Sequence, residues 1–380
     1  MPISRRRLLY LAAAVGGTAI TAGIASNVLQ FNKQTIENQG NVVNNDVKNS
    51  ISISEKPYLR NVYTQNGKSL VGIVLGTNLA EDIPRMVRTS VDLMGGIEKM
   101  DVKGRNVIVK PNTNSNRPSP ASTNPIVVGT VVKMLVEAGA ANVKVGDCSN
   151  INNRTRDVMR DQGIQEAVED AGGEVIFLDE MEYITVKTPW GRQLTETRIS
   201  KPIYESERLI DIPVIKSHNV TSFSMSMKNF IGVIHKESRL DPTWQPSKTV
   251  FHSSENPSEA VAELNLLVKP DLIVMDGTKS LVSYGEGDDS GEVRETNMII
   301  SSGDRIANDV VGLSVIKSYG LWPPICDKSV WSQDQIKRAL ELELGSDKNN
   351  IKIVSKSLVG QEKLDQVLKT IQIETDILEI

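Results

Sequence analysis

From about residue 62 onward the chain alternates short β-branched runs with longer amphipathic ones, the pattern of strands and helices taking turns. VGIVLG (71–76) and NVIVK (106–110) predict strands, and Ala80 to Leu93 between them predicts a helix. Asn124 is a good N-cap with Pro125 at the first helical position, which predicts a helix through Ala138 closed by Gly139. NVKVGD (142–147), a helix from Thr155 to Ala171, and EVIFLD (174–179) continue the alternation. A polar insertion, Glu182 to Ile199, predicts a hairpin turning near Pro189-Trp190-Gly191. RLIDIPVIK (208–216) resumes the strand pattern, followed by helices near Phe223 to Ile234 and Pro257 to Leu267. DLIVMDG (271–277) and NMIIS (297–301) are strands, and Asp304 caps a helix from Arg305 to Tyr319. The class is α/β, with a largely parallel sheet, flanking helices and a small hairpin insertion in one domain over residues 62–380.

Before this body the pattern is different. SRRRLLYLAAAVGGTAITAGIAS sets Arg5, Arg6 and Arg7 ahead of an apolar run from Leu8 to about Ile24, the layout of a twin-arginine export signal within residues 1–31. The same layout also describes an N-terminal membrane anchor with positive-inside arginines. The Ala, Gly and Thr content favours export through the twin-arginine translocase, with membrane contact only through this segment. Either way the body is expected outside the cytoplasm. Residues 32–61 are rich in Asn, Ser and Gln without apolar periodicity and are expected to be a flexible polar linker.

Composition narrows the partners. A hydrophobic fraction of 39% and a charged fraction of 24% are those of an ordinary globular protein. A formal charge of -4 with 4% aromatics argues against nucleic acid as a partner. Cys148 and Cys326 are the only cysteines and do not form a C-x-x-C pair, so this chain by itself cannot assemble a cysteine-held iron-sulfur cluster.

In open α/β sheets, ligands bind outside the carboxyl ends of the strands. Four predicted strands end in polar groups here: Lys110 and Asn112, Asp147, Lys216 and His218, and Asp276. Lysines with asparagine amides suit a carboxylate or phosphate. Histidine and aspartates add acid-base capacity or hard ligands for a possible divalent metal of unknown identity. Residues two apart on a strand share a face, so Lys216 and His218 should point into one cleft and Ser217 away from it. Met225 and Met227, at alternate positions, have the look of thioether ligands but suit a core better. The acidic loop holding Glu286, Asp288, Asp289 and Glu292 departs from EF-hand spacing and reads as solvated.

VIVKPNTNSNRPSPASTNPIVVGTVVKMLVEAGAANVKVGD, IPVIKSHNVTSFSMSMKNFIGVI, DLIVMDG and SGDRIANDVVGLSVIKSYG resemble, in order, the successive motifs of the domain-of-unknown-function family 362. The resemblance spans roughly Val71 to Gly320. The matching positions are Lys110, Asn112, Asp147, Lys216, His218, Lys228, Asn229, Asp276, Asp304 and Asp309. Many members carry an adjoining ferredoxin-like domain with iron-sulfur clusters, which implies redox work for them; this chain lacks that domain's cysteines. The loop SYGEGDDSGEV also departs from the family's GNGP-like stretch in lacking its proline.

Three functions fit these features. One is an exported enzyme acting on a small anionic substrate or cofactor, with Lys110, Asn112, Lys228, Asn229 and Asp309 binding and Lys216, His218, Asp147 and Asp276 catalysing. Another is a non-catalytic binder of a metal or anionic solute. The third is a redox accessory protein akin to the cluster-bearing relatives.

Overall fold

The computed structural model describes residues 50–52, 60–240, 254–285 and 290–380. The segment expected to be an export signal, most of the expected linker, His252 and the acidic residues Glu286, Asp288 and Asp289 lie outside the described residues. Residues from Ile51 to Ile380 form one compact unit.

Its frame is an eight-strand path. In chain order the strands are β1 (Lys68–Leu75), β2 (Asn106–Pro111), β3 (Asn142–Asp147), β4 (Glu174–Phe177), then, beyond the hairpin β5 (Tyr183–Lys187) and β6 (Glu196–Ser200), β7 (Arg208–Ile212). After β8 (Val214–His218) and β9 (Ser222–Ser224) come β10 (Leu272–Leu281), β11 (Met298–Ser302) and β12 (Ile351–Ser357). The spatial order is β12-β1-β11-β10-β7-β2-β3-β4. Every neighbouring pair on this path is parallel except those made by β11, which runs antiparallel to β1 and to β10. Period-2 alternation carries no direction, so the inverted strand was invisible in the pattern.

Alternate residues of the strands feed two cores, one on each face. Val107 and Val109 of β2, with Leu272 and Val274 of β10, pack under helices α1 (Ile83–Asp92) and α2 (Pro125–Glu137). Ile108 and Met275 join the opposite core, which α7 (Arg305–Ser318) covers with Ile306, Val310 and Leu313. Burying both strand faces is what lets such strands be nearly continuous apolar runs.

Several expectations change at this level. The predicted helix from Thr155 to Ala171 is two, α3 (Thr155–Asp161) and α4 (Ile164–Asp170), because Gly163 between them adopts a left-handed φ of 73° that no helix accommodates. RLIDIPVIK is two strands because Pro213, lacking an N–H, interrupts the ladder, and the register with β10 shifts between Val214 and Ile215. The helix expected from Phe223 to Ile234 is instead β9, a single helical turn α5 (Ser226–Asn229) and a 3-10 turn (Phe230–Val233). Met225 and Met227 are buried in the core there. The hairpin insertion is present, and α6 (Pro257–Leu264), α8 (Asp334–Glu341) and α9 (Gln361–Thr375) add to the cover of the second face. Among the described residues no helix is long and apolar enough to cross a membrane.

Candidate functional site

At the carboxyl ends of β2, β3 and β8 lies a small cavity of about 60 Å³. Asn112, Asp147, Lys216, His218, Lys228 and Asn229 line it, together with Cys148, Gly232 and Arg239. That volume holds a handful of waters or one ion of carboxylate to phosphate size. Two larger cavities exist. One, of about 370 Å³, lies at the opposite end of the sheet among charges of both signs, including Arg60, Lys269, Glu207 and Asp271. The other, of about 390 Å³, is a largely apolar groove between α7 and α9. Neither gathers side chains of one chemical purpose.

The floor of the small cavity is a buried ion pair. Lys110, 0% exposed, reaches over the end of β2 so that its Nζ stands 2.8 Å from Asp147 Oδ1 and donates to Pro111 O at 2.9 Å. Asp147 also accepts from Cys148 N at 2.8 Å and, through Oδ2, from Thr113 N at 2.8 Å and Thr113 Oγ1 at 2.9 Å. The pair is roofed by Gly232: a Cβ there would lie 2.0 Å from Asp147 Oδ1 and 2.8 Å from Lys110 Nζ, so only glycine fits.

The walls come from the segment that failed to become a long helix. Ser226 N and Met227 N donate to the two oxygens of Asp309 at 2.8 and 3.2 Å, which pins the turn α5 onto α7 and aims Asn229 back toward β2. Asn229 Nδ2 donates to Lys110 O at 3.3 Å and to Asp211 Oδ1 at 2.7 Å. Lys216 is buried and donates to Ala121 O at 3.1 Å, while Ser217, the intervening residue, points into the protein. His218 is partly exposed at the rim; its Nδ1 accepts from Val220 N at 3.1 Å, which leaves the proton of the neutral ring on Nε2. Its ring stands 5.9 Å from that of Tyr284, which in turn stands 6.0 Å from Trp322. Arg239 clamps the far side, donating to Cys148 O, Ser149 O and Ile234 O at 2.9–3.0 Å. Burial pushes the Cys148 thiol up, which keeps it neutral.

Two expected site residues are elsewhere. Asp276 is not at a strand end: β10 continues to Leu281 because its last residues pair with β8. Asp276 has the parity of Leu272 and Val274 and serves the other face, where Oδ2 accepts from Asn124 N at the start of α2 and Oδ1 from Thr278. Asp309 is fully buried in α7 and acts on the site only by holding Ser226 and Met227. Burial pushes its carboxyl up to about 7, against the hydrogen bonds that favour the ion. Of His218, Asp147 and Asp276, the set considered for a metal, only the first two share the cavity. Among the described residues no cluster of three or more His, Cys, Asp or Glu side chains is placed to hold a metal ion.

Sequence reasoning missed Asp211, Gly232 and Arg239. Asp211 left a signal, a lone carboxylate interrupting the apolar run of RLIDIPVIK; Arg239 left none, because nothing local distinguishes it from a surface arginine.

The family model described as "Domain of unknown function (DUF362)" matches residues 107–314, which contain every residue just described except Trp322 and those of the two larger cavities outside that range. The thylakoid-associated protein sll1697 of Synechocystis sp. is 25% identical over 239 residues, covering 61% of this chain and 69% of that protein. Among solved structures, the lactate racemase apoprotein from Thermoanaerobacterium thermosaccharolyticum aligns with 83% of this chain and 88% of its own at 11% identity and a TM-score of 0.38. A protein from Thermotoga maritima aligns with 76% and 90% at 11% identity and a TM-score of 0.35. Superpositions this loose carry no functional argument.

Proposed function

We propose, for a chain that belongs to the DUF362 family, that the cavity at the ends of β2, β3 and β8 binds a small carboxylate- or phosphate-bearing molecule and catalyses a proton transfer on it. The observation that carries this is charge: among the described residues Lys216, Lys228 and Arg239 line one cavity with the amides of Asn112 and Asn229, and its lining carboxylate, Asp147, is already paired with Lys110. Cations and amide N–H groups that converge on one small cavity suit an anion, and partial burial strengthens that attraction. Lys110 would orient Asp147, whose carboxylate would take the proton leaving the ligand, and His218 would donate a hydrogen bond from Nε2 to the negative charge left on it. The proton-transfer part rests on the residue types; the anion part rests on their arrangement.

One feature favours non-catalytic capture instead. His218 Nδ1 is already an acceptor for backbone N–H, so the ring offers a donor and not a base. Calorimetry with sulfate and a panel of small carboxylates tests binding. Lys216→Met should weaken it at least tenfold with little change in Tm, and no binding by the wild type to any of them would end the proposal. Incubation of the bound carboxylates in deuterium oxide, read by mass spectrometry, separates the two roles: deuterium incorporation means an enzyme, and none means a binder. We further propose that the chain works outside the cytoplasm after twin-arginine export, a reading supported by Arg5, Arg6 and Arg7 ahead of the apolar run.

A further inference from the structure

Asp211 lies beneath the cavity and takes no part in the chemistry above. It stands in register with Lys110 on the adjacent parallel strand, and it is fully buried. Its two oxygens are treated unequally. Oδ1 accepts from Asn229 Nδ2 at 2.7 Å, whereas Oδ2, equally buried, has no hydrogen-bond partner. Asp147, the other carboxylate near Lys110, receives Cys148 N, Thr113 N, Thr113 Oγ1 and the ammonium itself. The floor of the site thus holds one lysine and two carboxylates, of which one is fully satisfied and the other barely.

When an anion enters, a further negative charge is placed over this group. A nearby like charge raises a carboxyl's affinity for protons, and hydrogen bonds to the ionised form oppose that rise. Asp147 has four such bonds and Asp211 has one, so Asp211 is where the charge yields. We propose that Asp211 takes up one proton, on Oδ2, as the anion binds, so that ion and proton are captured together and released together. The proton comes from solvent, an O–H bond forms, and no bond in the protein breaks. The proposal rests on the anion-binding reading of the cavity and adds to it the residue that offsets one unit of the charge brought in.

The surroundings agree in direction. Burial is the largest influence raising the Asp211 carboxyl well above the usual carboxylate range, and Asp309 of α7 pushes the same way. Lys110 of β2, Asn229 of α5 and Arg305 of α7 oppose it. Asp147, Lys216, His218, Lys228 and Arg239 face the ion from the cavity itself. Asn229 lines the cavity and bonds Asp211, so one side chain spans the ligand space and the proposed proton site.

Sulfate is the probe, because it does not titrate near neutrality. Its binding to the full chain is measured by calorimetry in two buffers of different ionisation enthalpy across a range of pH, which counts the protons taken up per ion. The wild type should take up a fraction approaching one, and its affinity should fall by up to about tenfold per pH unit above the protonation of Asp211. Asp211→Asn, a match in shape for the protonated acid, should bind with no uptake and with a flat pH dependence. Uptake that persists unchanged in Asp211→Asn would assign the proton to His218 or another group and overturn the proposal. Wild-type binding with no uptake at any pH would overturn it as well. Failure of the wild type to bind sulfate would overturn the anion-binding reading itself. Should Asp211→Asn not fold, the wild-type infrared difference spectrum decides: a protonated-carboxyl C=O band must grow on sulfate addition, and its absence refutes the assignment.

Discussion

At Gly232 the whole site hangs on a missing methyl group. The Lys110–Asp147 pair is buried with its partners in place, and the backbone of residue 232 seals it from above. Adding a Cβ by Gly232→Ala must push Asp147 or the turn aside. We expect a stability loss of about 1–3 kcal/mol, the usual range for overpacking, and at least tenfold weaker sulfate binding. Ser217→Ala is the control from the next strand. Its hydroxyl is buried and without a hydrogen-bond partner, so removing it should be neutral or stabilising by up to about 1 kcal/mol, with binding unchanged. Urea denaturation and calorimetry on both variants check this; a silent Gly232→Ala would show that the pair is not as tightly roofed as the geometry states.

At the scale of the element, α7 has two aspartates, a cap that the sequence already separates from the second and a buried one whose partners only the fold supplies. Asp304 caps the helix by accepting from Ala307 N at 3.0 Å, and it also accepts from Ser69 Oγ at 2.9 Å and Ser346 N at 2.7 Å. Its replacement by Ala removes a cap and a tie between three segments, and should cost about 2–3 kcal/mol with sulfate affinity retained. Asp309, one turn on, holds Ser226 and Met227 and so positions Asn229. Its carboxyl, with an unfolded value near 3.8 and a folded one of about 7, is raised by burial. A raised folded value means the native state binds the extra proton, so the stability it contributes is fully present below about 4 and is lost as pH rises through 7. Wild-type stability should therefore fall by a few kcal/mol over that window, and Asp309→Asn should flatten much of the slope. Equal slopes in the two proteins, measured by urea denaturation at stepped pH, would contradict the protonated state. Asp211 and Asp276 are shifted in the same direction by burial and would supply any slope that remains.

For the whole molecule, the strands that build the site run parallel and deliver their carboxyl ends to one edge, where Asn112 follows β2, Asp147 ends β3, and Lys216 and His218 end β8, while α5 brings Lys228 and Asn229 across them. The export proposed from the N-terminal arginines has its own test. Changing Arg5 and Arg6 to Lys in a reporter fused to residues 1–35 should abolish export if the twin-arginine translocase carries it. Undiminished export, or export through the general secretory channel, would refute that route.

Apolar periodicity, caps and breakers are local properties, and the chain determined by them alone its α/β class, the residues of most strands, and the helices that begin at Pro125, Pro257 and Arg305. It also determined that Lys216 and His218 share a face, because alternation along a strand needs no knowledge of neighbours. Direction and pairing are not local. The antiparallel course of β11, the extension of β10 that carries Asp276 onto the other face, and the refolding of residues 222–233 all follow from which strand or helix lies alongside. The site shows the same division. Lys110 and Lys216 were legible as polar groups at strand ends. Asp211 under Lys110, Gly232 above the ion pair and Arg239 across the cavity became visible only when segments 20 to 130 positions apart were packed together, because a buried charge is defined by partners that the local sequence does not contain.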